Sequence, residues 1–328
     1  MKCAIIKTAG KDLNNLVITE QEDLFARGEN IRVKVIATAL NRADLLQRRG
    51  LYPAPAGAPQ DIPGLEFVGY VDQIGEEVTR WKGGERVFGI VGGGSYAEHL
   101  VTHQRLAVLV PDELSDIEAA AIPEAFISAH DALVSQGGMS VGDLVLVHAV
   151  AGGIGSAAVQ IVNVWGARAI GTAGSTEKLA KMADIAPFFA VNYREENVQA
   201  RIEEAFGSDA VDVVLDTVGG SQWRQNIAVL RYCGTLVLFG LMGGASAETP
   251  LGTVLFKRLR IIGTALRGRP LEEKILATRA FAHQVLPHVR SGRLRPIVDS
   301  VFALHDLHRA TARMEDNQNV GKIIITVS

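Results

Sequence analysis

The stretch Leu144-Val-Leu-Val-His148-Ala-Val-Ala151-Gly152-Gly153-Ile154-Gly155 runs without a break into Ser156-Ala-Ala-Val-Gln-Ile-Val-Asn-Val-Trp165. A continuous apolar run, a glycine-rich turn and a second apolar segment of helical length read as a buried strand leading into a buried helix. Glycines there permit a tight turn and bring backbone N–H groups to a helix N-terminus, where a pyrophosphate is well held. Ala151, Gly152, Gly153, Ile154 and Gly155 are the expected cradle. Val150 stands where the six-residue glycine fingerprint has its first glycine, so this turn must differ from the standard one. A glycine-rich turn with no ligand is the plainer alternative.

The texture around this stretch is that of a parallel sheet. Arg168–Ala173, Val211–Asp216 and Thr235–Phe239 are further doubly buried strands, with helices expected at 156–165 and 176–182. Alternating strands and helices imply right-handed crossovers. The strand after the glycine turn ends Gly171-Thr-Ala-Gly174-Ser175-Thr-Glu-Lys178. A site for NAD carries an acidic residue roughly twenty residues on, which accepts from the ribose 2′-OH. Gly174 occupies that place, followed by a hydroxyl and a lysine. Ser175 and Lys178 suit a 2′-phosphate, and Tyr193 follows the next strand into the same region, so NADPH is expected rather than NADH. Lys178 as a solvated first-turn residue is the competing reading.

Residues 1–123 have a different texture: short alternating strands such as Ile31–Ile36 and Phe67–Ile74, separated by turns. Ile323–Val327 is a late apolar strand expected to return to that first sheet. At 328 residues two domains are expected. The texture changes at about 124, and the domains expected are 1–123 with 265–328 and 124–264. A net charge of −3 gives no footprint for nucleic acid or an anionic membrane. Two distant cysteines, Cys3 and Cys233, exclude a disulfide framework and fit a reducing cytoplasm. Polar residues interrupt the greasy stretch 144–169, so no membrane span is expected.

A set of motifs runs in order along the chain: Asn41-Arg-Ala-Asp44-Leu-Leu-Gln-Arg-Arg-Gly50-Leu-Tyr52, Pro63-Gly64-Leu65-Glu66, Ala119-Ala-Ala-Ile-Pro123, Asn192-Tyr193-Arg194, Phe239-Gly240-Leu-Met-Gly243-Gly244 and Gly321-Lys322. With the glycine turn they make the chain resemble the medium-chain dehydrogenases/reductases. Within these it is most similar to the zinc-free quinone oxidoreductases of the p53-inducible type and their bacterial relatives. The resemblance implies an α/β protein: a GroES-like, mostly-β catalytic domain from both chain ends and a Rossmann doubly wound parallel-sheet domain between them. It implies a homodimer, or a tetramer built from dimers, joined through edge strands near Arg260–Leu266. It places Asn41, Ser128, Val218, Phe239, Gly240, Leu241, Met242, Gly243, Leu266, Arg267 and Asn319 by the cofactor. Ser128 departs from a more usual threonine.

In the zinc alcohol dehydrogenases of this superfamily a cysteine and a histidine ligate the catalytic metal. Their places are taken by Asn41 and Leu65, which cannot make a zinc site. His99 and His103 lie roughly 13 Å apart along a strand and do not chelate one ion together. No metal is therefore expected. Without a Lewis acid, reduction of an already electrophilic acceptor is the chemistry implied, a quinone foremost. Asn41 and Tyr52 are the candidates to orient it or to donate to its oxyanion. Asn41 as a backbone cap and Tyr52 as a packing aromatic are the bland readings. Two other functions stay open: an enoyl-thioester or enone reductase, with Arg42, Arg48 and Arg49 as its basic residues, and a crystallin-like or RNA-binding protein with little turnover.

Overall fold

The computed structural model describes residues 1–327. They divide into two compact units, one of residues 1–127, 266–290 and 295 onward, the other of Ser128–Ala265 with Ser291–Leu294. The inserted unit thus begins a few residues later than the change of texture at 124.

In the first unit, β1 (Lys2–Ile6) pairs antiparallel with β2 (Leu16–Glu20) as a ribbon. β3 (Asn30–Ala39) buries Ile31, Val33, Val35 and Ala37 on one face, the period-two pattern of a half-covered strand. α1 (Arg42–Arg48) follows at once. Next come β4 (Glu66–Ile74), β5 (Arg86–Ile90), β6 (His99–His103) and β7 (Ala107–Leu109). α2 (Asp116–Ala120) starts from a capping box of Ser115 and Glu118, and α3 (Pro123–His130) crosses the boundary between units.

In the second unit, β8 (Leu144–Val147) has four buried residues in succession, as a strand covered on both faces requires. The order continues α4 (Gly153–Val164), β9 (Arg168–Ala173), α5 (Thr176–Ala183), β10 (Phe189–Asn192), α6 (Val198–Phe206), β11 (Val211–Asp216), α7 (Trp223–Val229), β12 (Leu230–Leu238), α8 (Leu251–Phe256) and β13 (Arg260–Gly263). The six strands are parallel in the order β10-β9-β8-β11-β12-β13. Chain direction across the sheet therefore reverses between β8 and β11, the switch point at which such sheets hold dinucleotides. α4 begins at Gly153, three residues earlier than expected, because the glycines form its first turn. β12 begins at Leu230 rather than Thr235.

The chain then completes the first unit with α9 (Leu271–Ala280), α10 (Leu286–Arg290), β14 (Val298–Ala303), α11 (Leu307–Glu315) and β15 (Lys322–Thr326). β15 pairs antiparallel with β3, so the late strand does return to the first sheet, whose order is β14-β15-β3-β4-β5-β7 with β6 also on β3. Among the described residues no helix is long and apolar enough to cross a membrane.

Candidate active site

The glycine turn is solved without its first glycine. Ala149 takes the left-handed conformation, at φ 51°, one position ahead of Val150. Val150 is then free to turn inward. It is fully buried, its N–H donates to Thr172 O, and Gly171 on β9 leaves room for its side chain. Gly155 is needed for a different reason. A Cβ there would lie 2.3 Å from Ala149 O, so only glycine lets α4 start this close to the strand end. The first N–H groups of α4, from Gly153 through Gly155, have no intrahelical acceptor and face the turn with Ala151 and Gly152.

Beside this turn, Ser175 caps α5 and its Oγ accepts the N–H of Lys178, which is half-buried. Asn192, at the end of β10, donates from Nδ2 to Thr176 Oγ1 and accepts the N–H of Arg194. Those bonds hold Tyr193 and Arg194 over Gly174. A Cβ on residue 174 would meet Tyr193 Oη at 2.6 Å and Arg194 Nε at 3.0 Å. The space an acidic side chain would use is filled by a phenol and a guanidinium. Arg194 escaped selection from the sequence, although it adjoins Tyr193 in the quoted motif.

On the other side of the switch point, Asp216 Oδ1 accepts the N–H groups of Val218 and Gly219. Gly243 N–H donates to Val218 O, and Gly240 packs against Thr217, which brings Phe239–Gly243 beside 217–219. Leu241 and Met242 stay half exposed on this rim. Thr217 Oγ1 is buried there without a hydrogen bond, as are Asp216 Oδ2 and Asn226 Nδ2. Behind them His148 is enclosed: Nε2 donates to Asn226 Oδ1, and Nδ1 meets Thr172 Oγ1 at 2.8 Å. Burial pushes its pKa down, opposed by Asn226 and Asp216, so the ring is neutral. Ser128 opens this unit, fully buried within α3.

In the first unit the motif strip is tied down by Asp44. Its carboxylate accepts from Asn41 N–H, Gly64 N–H and Tyr96 Oη, and burial raises its pKa against those bonds. Gly64, at φ 100°, has no room for a side chain beside Ser95 and Tyr96. The side chain of Asn41 is committed. Nδ2 donates to Ala39 O and to Glu66 Oε1, and Oδ1 accepts from Lys322 Nζ at 2.6 Å. Lys322 also donates to Glu66 Oε1 at 2.7 Å and to Leu40 O, while Glu66 Oε2 accepts the N–H of Glu124. Both amide hydrogens of Asn41 are thus used inside the protein, where the sequence pointed to a donor for the acceptor. Lys322 was not selected from the sequence either; the signal was a charge opening the apolar run Ile323-Ile-Ile.

Tyr52 is half-buried under Arg267, whose guanidinium carbon lies 5.1 Å from the ring centroid. Arg267 donates to Gly92 O, Tyr52 O and Gln47 Oε1, so it staples the Tyr52 loop rather than reaching outward. Burial raises the Tyr52 phenol, with Arg267 acting the other way. Leu266 and Arg267 line a cavity of ≈ 20 Å³, room for about one water, with Glu124 and Lys274. Burial lowers the pKa of Lys274, a residue with no sequence signal. Asn319 Nδ2 donates to Gly321 O, shaping the turn that precedes Lys322.

The donor chemistry of these parts fits a dinucleotide and does not fit zinc. Asn41 and Leu65 offer no metal-ligating atom, Leu65 is buried, and Glu66 is engaged by an ammonium. Among the described residues no group of three His, Cys, Asp or Glu could hold an ion. His99 and His103 meet Asp72 and Glu29 respectively.

The comparisons agree with this architecture. The alcohol dehydrogenase GroES-like domain family matches residues 27–112, and the family described as zinc-binding dehydrogenase matches residues 153–281. Quinone oxidoreductase-like protein 2 of Bos taurus is 30% identical over 95% of this chain and 89% of its own. A phenolphthiocerol/phthiocerol polyketide synthase protein of Mycobacterium tuberculosis is 32% identical over 92% of this chain, which spans only 14% of that protein's length. Among solved structures, Escherichia coli quinone oxidoreductase complexed with NADPH is 26% identical, superimposes with a TM-score of 0.90 and is covered completely, as is this chain. With identity of that order sustained over nearly the whole length, the chain belongs to the medium-chain dehydrogenase/reductase superfamily and is similar to its quinone oxidoreductase-like members.

Proposed function

We propose that this protein is an NADPH-dependent, zinc-independent reductase of a quinone or a similarly electron-poor acceptor. The observation that carries the reading is the occupied space over Gly174. Tyr193 and Arg194 stand where an acidic ribose ligand would be, beside Ser175 and Lys178. A phenol, a guanidinium, a hydroxyl and an ammonium suit a 2′-phosphate, while the nearby carboxylates of Glu177 and Glu195 are engaged by Lys181 and Thr176. The N–H groups of 153–155 would hold the pyrophosphate, and Val218 with Phe239–Gly243 would line the place of the nicotinamide ring. When bound, the cofactor supplies the hydride.

The first unit contributes position rather than acid strength. Tyr52, flattened under Arg267, presents a fixed aromatic surface and a hydroxyl to the acceptor. Its phenol stays protonated through the neutral range because burial raises it. Asn41, Glu66 and Lys322 act as a positioning knot with charge balanced internally. Reduction of a quinone yields a stabilised phenolate that water can protonate, so no dedicated acid is required.

A homodimer through β13 accords with an edge strand that has no partner on its outer side among the described residues and with the exposed Leu251, Leu255 and Phe256 of α8 beside it in the chain. A cytoplasmic setting accords with free Cys3 and Cys233.

One observation favours a second reading, an enoyl-thioester reductase. The polyketide synthase relative is similar over nearly all of this chain. Of the three arginines expected to serve it, Arg48 is buried and both Arg48 and Arg49 pair with Glu315, which leaves Arg42, bonded to the neutral Asn317, as the basic group. Steady-state oxidation of NADPH and NADH, in a strong chelator, against a quinone panel and an α,β-unsaturated acyl thioester separates the readings. Turnover of quinones with NADPH preferred supports the proposal. Turnover confined to the thioester, or loss of activity in chelator, overturns it.

A further inference from the structure

Away from the parts described above, the first unit contains a larger cavity. It measures ≈ 170 Å³ and is lined by Arg80, Trp81, Arg105, Leu109, Thr278 and Arg279, with Ala107, Val108 and Ala282. None of the residues of the glycine turn, the Gly174 cradle or the Tyr52 loop reaches it. Its walls come from the loop before β5, from the turn after β6 and from β7 at the end of the seven-stranded sheet, and from α9 and the helical turn that follows it.

The walls are held in place without any ligand. Gln104 is buried, and its Oε1 accepts the N–H groups of Thr79 and Arg80 at 3.0 and 3.1 Å. Its main-chain carbonyl accepts from Trp81 Nε1 at 2.7 Å, which fixes the indole as part of the floor. Thr278 is anchored in α9 by a bond from its Oγ1 to Lys274 O. An open, preformed cavity of this kind costs little ordering on binding.

Its charge is one-sided. All three ionisable groups of the lining are guanidinium groups. Glu272 chelates Arg105, and Glu29, engaged by His103, acts on the same group from farther off. Arg80 and Arg279 are exposed and carry no ion pair among the described residues. Guanidinium groups bind carboxylates in planar, two-point fashion. The floor is apolar: Trp81, Val108, Ala282 and Leu109, whose side chain is 46% exposed. A cavity of about 150 Å³ accommodates one benzene ring.

We propose that this cavity is a second ligand site, which takes a small aromatic carboxylate with its ring on Trp81 and Leu109 and its anion between Arg80 and Arg279. The probe is benzoate, titrated calorimetrically into the full-length protein. Saturable binding of one equivalent is expected. It should weaken roughly tenfold or more in Arg80→Gln/Arg279→Gln, which removes two charge-assisted contacts. Leu109→Asp, which puts a negative charge on an exposed position of the floor, should do the same. Tyr52→Ala should leave it unchanged. Circular dichroism checks that each variant is folded, and all three arginine and leucine positions tested are exposed. Absence of saturable binding overturns the proposal, as does equal binding in the double variant. Loss in Tyr52→Ala places benzoate in the acceptor site and overturns it too. Inorganic phosphate binding as tightly as benzoate would reduce the cavity to a plain anion site and overturn the part assigned to the ring.

Discussion

In the inserted unit, the turn from Ala149 to Gly155 builds its site from main-chain atoms of seven consecutive residues. In the other unit, the knot of Asn41, Glu66 and Lys322 is made of side chains from positions up to 281 residues apart. The first tolerates many side chains and no Cβ at Gly155; Val150 replaces a fingerprint glycine because Ala149 takes the left-handed turn instead. The second tolerates any backbone that brings its members together and no loss of a single member, since each charge is buried against the others. A backbone-built site fails by steric intrusion, and a side-chain knot fails by leaving a charge unpaired.

The largest effect should therefore come from the knot. Lys322→Met leaves Glu66, which is fully buried, without its cation and should cost about 3–5 kcal/mol of stability. Denaturant unfolding followed by tryptophan fluorescence measures it. Adding Glu66→Gln should restore most of the loss; a single variant as stable as the parent would show that the pair contributes nothing. Next is the proposed cofactor cradle. Lys178→Ala should weaken NADPH binding roughly tenfold to a hundredfold and leave NADH nearly unchanged, by the loss of one charge-assisted bond to the 2′-phosphate. Equal weakening of both would make Lys178 a structural residue. Gly155→Ala tests the backbone side of the comparison. The added methyl must push apart Ala149 and α4, at about 1–3 kcal/mol. Thermal unfolding within error of the parent would mean that the turn is more pliable than its geometry implies.

Tyr52 lies between these extremes, a side chain held by main-chain bonds to Arg267. Tyr52→Phe keeps the stack and should preserve most kcat/KM, a change worth under about 1 kcal/mol, while Tyr52→Ala raises KM for the acceptor. Stopped-flow hydride transfer that drops ten- to a hundredfold in Tyr52→Phe would make the hydroxyl a donor instead. The smallest effect is a pH slope. His148 is held neutral, with its folded pKa below the ordinary 6.5, so the unfolded chain takes up the proton first. The stability it secures is present above that value and is lost as pH falls below it. His148→Gln should flatten the slope on the acid side; an unchanged slope would assign the acid sensitivity elsewhere.

Sequence alone was enough for whatever is local. The run Leu144–Val147 into the glycines announces strand, turn and helix, because a doubly covered strand must be apolar throughout and a pyrophosphate turn must be small. The absence of an acid at Gly174 is equally plain in the chain. Tertiary structure decided the rest. That Tyr193 and Arg194 fill the space over Gly174 depends on β10 lying beside β9, a pairing of residues about twenty positions apart. That Asn41 is bound on both atoms of its amide depends on β15 pairing with β3 from the far end of the chain. Hydrophobic period and glycine placement are properties of neighbouring residues, whereas the partner of a buried charge is chosen only when distant strands meet.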